Sequence, residues 1–162
     1  MLMAYWFTSA PEYLIGMGVE ISKMPQKEAF KEMLLQQIAT PLKDKKAYAI
    51  IWECNDQAVG HCNINNITFG EEAHMHLHLW NKEKRQKGMG TIFIEKSLPL
   101  FFENYELKRL YCEPYAENLA PNKALEKVGF TFEKRYRTVP GSINFEQEVN
   151  QWLLTKKHLK VK

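Results

Sequence analysis

Hydrophobic and polar positions alternate most regularly in the segment 73–79. His74, His76 and His78 fall on one side of it, and Met75, Leu77 and Leu79 on the other. A period of two marks a strand with one buried face. The period lengthens after Gly90: Ile92, Phe93, Leu98, Phe101 and Phe102 recur at helical spacing, with Glu95 and Lys96 opposite. This predicts a helix to about Asn104, kinked in its last third by Pro99. A second amphipathic helix is predicted over 25–39, with Phe30, Met33, Leu34 and Ile38 on one face and Pro41 stopping it. A short one is predicted from Pro11, capped by Thr8 or Ser9 and ended by Gly16 and Gly18.

Strands are predicted over 1–7, 47–53 and 58–69, the last two joined by a turn at Cys54-Asn55-Asp56-Gln57. Further strands are predicted over 107–113, 130–139 and 145–154, with Pro114 and Pro140-Gly141 as breaks. Between them, Asn118 to Pro121 opens a helix that Gly129 closes. The sum is a mixed α/β chain. At 162 residues it has the size of a single domain, 1–162. Trp52, Trp80 and Phe69 are expected in its core.

Composition narrows the function classes. A net charge of +3, with basic residues scattered outside 82–87 and 156–162, provides no nucleic-acid footprint. No apolar run reaches the roughly 20 residues of a membrane span, and residues 1–7 lack a basic leader. Cys54, Cys62 and Cys112 are odd in number and lack Cys-x-x-Cys spacing, so free thiols in a reducing cytoplasm are expected. His74 and His78 stand about 13 Å apart along a strand, too far to share one metal ion, and no metal is expected.

Between the histidine strand and its helix runs Arg85-Gln86-Lys87-Gly88-Met89-Gly90, a basic glycine loop at a helix start. Strand, loop and helix in that order gather free backbone N–H groups and the positive end of a helix dipole, a setting for phosphate. The loop has the form Arg/Gln-x-x-Gly-x-Gly/Ala. Downstream, Asn118 opens an Asn-x-x helix that closes in Glu126-Lys127-Val128-Gly129-Phe130. These two segments, in this order, resemble the signature regions of the GNAT N-acetyltransferase superfamily. The pattern is closest to the branch containing ribosomal-protein N-terminal acetyltransferases, and the likeness covers roughly residues 48–154.

The resemblance implies a GNAT-like α/β fold, with a mixed, mostly antiparallel central sheet of about six or seven strands flanked by about four helices. It implies acetyl-CoA as co-substrate, bound in the splay between the histidine strand and the 107–113 strand. The backbone at Arg85, Gln86, Lys87, Gly88, Met89, Gly90 and Thr91 would hold the pyrophosphate. The strand edge at His78, Leu79 and Trp80 would pair with the pantetheine arm, and Asn118 and Asn122 would meet the cofactor from the second helix. Two departures stand out: Pro121 replaces the usual Ser or Ala, and Leu125 the Tyr that many members use as general acid. Tyr115 is the candidate substitute.

The implied activity is transfer of an acetyl group to a primary amine by direct attack in a ternary complex. The acceptor would be a small-molecule amine or a peptide N-terminus, on a monomer or homodimer. An amine with a pKa of about 10.4 costs about 4–5 kcal/mol to deprotonate at pH 7, and His74 or His76 is the candidate base. The acids Glu71, Glu72, Glu113 and Glu117 could favour a cationic acceptor near the same mouth. A CoA-binding sensor or scaffold of the same fold, without turnover, is the alternative reading.

Overall fold

The computed structural model describes residues 1–80 and 88–159. Asn55 and Asp56 adopt positive φ, 52° and 59°, the twist that a two-residue hairpin between right-twisted strands demands. They join β1 (Ala47–Cys54) to β2 (Gln57–Thr68). Gly70, at φ 77°, turns the chain into β3 (Glu72–Leu79). The register of β2 with β3 sets the chemistry of both faces. Cys62 opposite Leu77 and Ile64 opposite Met75 face one way, while His61 opposite His78, Asn63 opposite His76 and Asn65 opposite His74 face the other.

A crossover helix, α4 (Met89–Asn104), leads to β4 (Arg109–Cys112), which lies parallel to β3. After α5 (Leu119–Val128), the chain closes with β5 (Thr131–Thr138) and β6 (Gln147–Thr155). The sheet order is β1-β2-β3-β4-β6-β5, antiparallel except at β3 and β4. Gly129 stands at φ 100°, and the Phe130 and Gly129 amides return to Leu125 and Glu126, the left-handed helix stop read from the sequence. Pro99 lies inside α4, which runs its predicted length.

The core lies between the Met75 face and α4 with α5. Phe101, Phe102, Tyr105, Leu110, Leu125 and Leu154 are fully enclosed. Trp52 stacks on Phe93 at 5.2 Å, and its indole N–H donates to Ser97 Oγ at 3.0 Å. Phe69, expected in this core, is instead exposed, because it follows the end of β2 at the Gly70 turn.

Three helices cover the histidine face. Residues 1–7, expected as a strand, form α1 (Leu2–Thr8). Their apolar run has no period to decide between strand and helix, and packing decides: Tyr5 stacks on Trp80 at 5.3 Å and its hydroxyl meets His78 Nδ1 at 3.1 Å. The seventh strand thereby becomes a fifth helix. Thr8 and Ser9, expected to cap the next helix, donate backward to Ala4 and Tyr5 carbonyls and close α1. Next come α2 (Pro11–Gly16) and α3 (Lys27–Ala39), the latter touching α1 through Phe7 and Phe30 at 5.7 Å. No residue of α3 is buried. Its predicted apolar face lines a cavity.

Candidate active site

The site begins where two parallel strands part. Ladder pairing of β3 with β4 stops at Met75 opposite Cys112, yet β3 continues to Leu79 with its ladder partners on β2. The strands diverge at their C-terminal ends, the crevice where open α/β sheets take ligands. At one side of this opening α4 starts at Gly88, in left-handed conformation at φ 72°. The first helical bond runs from Ile92 N to Gly88 O, so the amides of Met89, Gly90 and Thr91 lie in the unbonded first turn. A Cβ built on Gly88 or Gly90 meets no atom of the described residues within 4 Å. An open, glycine-walled helix start fits a diphosphate. Arg85, Gln86 and Lys87 lie outside the described residues.

The splay leads into a cavity of about 1030 Å³ between the histidine face and the α1–α3 roof. Its floor includes His61, Asn63, His76 and His78, and its splay end includes Glu113 and Tyr115. His76 and His74 are distinguished here: His76 lines the cavity, whereas His74 sits beside it, 5.3 Å from the Tyr111 ring and with Nδ1 3.9 Å from Glu113 Oε2.

Burial, reinforced by His74, lowers the pKa of His76 to about 4, with Glu113 opposing the shift. Near pH 7 the His76 imidazole is therefore neutral, with a free lone pair. His76 Nε2 lies 3.2 Å from Asn65 Oδ1; with the amide oxygen as acceptor, Nε2 carries the proton and Nδ1 the lone pair. His61 and His78 stack at 4.4 Å with an 8° angle between planes, and burial holds His61 at about 3 and His78 well below its ordinary value. His61 Nδ1 accepts the Trp80 indole N–H at 2.8 Å. Through Tyr5 of α1 and Trp80, just past β3, this pair ties the roof to the sheet while still lining the cavity.

Glu113 received little weight from the sequence, where it was one of four acids near a mouth. It is the buried one, its side chain 8% exposed. Tyr136 Oη and Gln151 Nε2 both donate to its Oε1, at 2.5 and 2.6 Å. Both donors come from the last two strands, whose position against β4 no local pattern reveals. The other three acids are surface partners of Lys108, Arg109 and Arg135.

Asn118 stands at the N-cap position of α5, makes no side-chain capping bond, and lines the cavity. Asn122 is buried, and its amide is committed within the fold. It donates to the Tyr115 and Asn118 carbonyls at 3.1 and 2.8 Å and accepts from Asn150 and Trp152 at 3.0 and 2.7 Å. Those four bonds exhaust its capacity, so the expectation that it binds cofactor gives way to a role in fixing α5 to β6. Leu125 is fully enclosed in the core, and no hydroxyl is available from that position. Tyr115 is 40% exposed and lines the splay end of the cavity.

A mixed sheet splayed beside an open helix start, with a cavity on its histidine face, is an architecture that can hold a phosphate-bearing ligand and a second substrate side by side. Residues 3–131 match the acetyltransferase (GNAT) domain family. The chain belongs to that family and is an acyltransferase. Solved structures similar to it include a point variant of the spermidine N-acetyltransferase SpeG from Vibrio cholerae, at TM-score 0.67 and 18% identity over 83% of this chain and 79% of that one. The aminoglycoside acetyltransferase AAC(6')-Ib with coenzyme A and kanamycin aligns at TM-score 0.71 and 17% identity, over 97% and 90%. The ribosomal L7/L12 alpha-N-protein acetyltransferase RimL with coenzyme A aligns at 0.68 and 13%, over 95% and 83%. No curated protein sequence matches the chain. Among the described residues no helix is long and apolar enough to cross a membrane, and no cluster of three or more His, Cys, Asp or Glu could hold a metal.

Proposed function

We propose that the protein moves an acetyl group from acetyl-CoA to a primary amine by direct attack in a ternary complex. The observation that carries this reading is the continuity of the β3–β4 splay with a cavity bearing His76 and Glu113. The thioester would lie along the β3 edge at His78–Trp80, with the diphosphate at the amides of Met89, Gly90 and Thr91. Glu113 Oε2 has no protein donor nearer than His74 among the described residues, and it would receive the acceptor's ammonium group. Asn118 would meet the cofactor from the start of α5.

In this reading the amine nitrogen attacks the carbonyl carbon, and a backbone N–H of β3 stabilises the oxyanion, the kind of preorganised donor that lowers such barriers most. The ammonium group gives one proton to His76 Nδ1 before it attacks as the neutral amine. The second proton leaves the nitrogen as the tetrahedral intermediate collapses and returns through solvent to the Tyr115 oxygen that protonates the thiolate. With its pKa at about 4, His76 passes the proton on rather than storing it, and the Glu113–His74 pair lies on the route out. As the C–S bond breaks, the thiolate takes a proton from the Tyr115 hydroxyl.

The test is calorimetry of acetyl-CoA, followed by free-thiol release with a panel of primary amines. Micromolar binding, about −8 kcal/mol, and amine-dependent thiol release are expected. His76→Ala should lower the rate by about 100-fold and leave binding intact. Leu125, closed into the core, favours the second reading, a CoA sensor; tight binding with no thiol release from any amine would establish it.

A further inference from the structure

The cavity that faces the thioester is uneven in its chemistry. Its floor is polar, but its roof is built from Trp6 and Phe7 of α1 and Phe30, Met33, Leu34 and Ile38 of α3. Glu113 is the one carboxylate among the described lining residues, and it stands at the splay end, next to the last ladder pair of β4. The other charged lining residues are cations on the roof side. Lys45 donates to the Gln37 and Ile38 carbonyls at the end of α3, and Lys23 pairs with Glu20 at 2.6 Å. The floor histidines supply no anion.

An acceptor entering this cavity can neutralise one ammonium group, at Glu113. A second ammonium group further in would meet the apolar roof, two lysines and the neutral amides and imidazoles of the floor, with no second carboxylate among the described lining residues. A charge placed there gives up hydration and gains neutral hydrogen bonds but no ionic partner. We propose that the acceptor is a primary monoamine with an apolar body, an alkyl or aryl chain running from Glu113 beneath the α1–α3 roof. The proposal rests on the transferase reading above and adds the substrate class: the cavity selects against polyamines by having one carboxylate among its described lining residues, and for apolar length by its roof.

The test compares n-heptylamine with the terminal diamine of the same chain length, using the full chain and saturating acetyl-CoA. The monoamine should exceed the diamine in kcat/KM by at least about tenfold, the least that burying one unpaired ammonium group would cost. A diamine used equally well or better overturns the proposal. Leu34→Glu adds an acid to the roof, on a helix with no buried residue, and should narrow the ratio by about tenfold; an unchanged ratio also overturns it. If neither amine releases thiol, the transferase reading fails separately. The substrate class is then decided by calorimetry of the same two amines into the CoA-saturated protein, where tighter binding of the monoamine supports it and equal or weaker binding overturns it.

Discussion

The two faces of the central sheet are made from the same strands and serve opposite ends. On the Met75 face, α4 and α5 press Phe101, Phe102, Leu98 and Leu125 into a continuous core with no more than 3% of any of them exposed. On the His76 face, α3 buries nothing and the space beneath it is a cavity of about 1030 Å³. Side chains alternate from face to face along each strand, so one register decides both. Stability is thus concentrated on one side, and the other side is free to carry buried histidines, an internal carboxylate and empty volume, each of which a core would not tolerate.

The sharpest way to break this contrast is to open the dense face. Phe101→Ala removes a fully enclosed ring and should cost about 3–5 kcal/mol, since the surrounding helices and strands cannot collapse fully onto the void. Urea unfolding monitored by tryptophan fluorescence reads it directly. A loss under about 1 kcal/mol would mean that the Met75 face does not carry the fold's stability.

The polar face should announce itself through acid. His61, with a folded pKa of about 3, and His76, at about 4, both lie below the ordinary histidine value, as does His78. The unfolded chain protonates these imidazoles near pH 6.5 while the folded chain leaves them neutral, so the unfolded state binds more protons as pH falls. Stability is full above pH 6.5 and drains between there and about 4, by about 1.4 kcal/mol per pH unit for each histidine kept neutral. His61→Phe should flatten the slope of the unfolding midpoint against pH. A midpoint that stays constant from pH 6.5 to 4.5 would place the histidines in water.

The same division between the two faces explains how far the sequence can be read. The dense face was legible because burial imposes a period: β3, the 55–56 hairpin, α4 and the Gly129 stop all fall where alternation, turn chemistry and helical spacing put them. The glycine loop could be read as a setting for phosphate because its residues are contiguous, and its Arg85–Lys87 part lies outside the described residues. The roof was not. An apolar run such as residues 1–7 has no period, and its helical state follows from Tyr5 meeting Trp80 and His78, contacts more than seventy residues apart. The apolar stripe of α3 was correctly read as a stripe, but periodicity does not say whether a stripe faces side chains or a cavity. Glu113 became distinctive only when Tyr136 and Gln151 arrived from β5 and β6.

A substitution at the donor end sharpens the separation of function from stability. A side chain at Gly90 meets nothing among the described residues, and Gly90→Glu should leave thermal stability unchanged or slightly raised, an acid in a first helical turn being favourable. The same carboxylate would repel a diphosphate at the Met89–Thr91 amides, and the acetyl-CoA Kd should rise at least about tenfold, or about 1.4 kcal/mol. Calorimetry that shows unchanged affinity would move the diphosphate away from the start of α4.

The smallest effect belongs to the roof, and its smallness is informative. Met33 is 44% exposed and lines the cavity, so Met33→Ala should change unfolding free energy by no more than about 0.5 kcal/mol. The same truncation removes apolar wall from the acceptor's path. At about 0.8 kcal/mol per buried methylene, it should raise KM for an apolar monoamine about fourfold or more. Because that contact would be made equally in the ground and transition states, kcat should hold. A fall in kcat at constant KM would instead mean that the roof positions the reacting nitrogen, and the division between a stable face and a permissive one would have to be redrawn with α3 on the catalytic side.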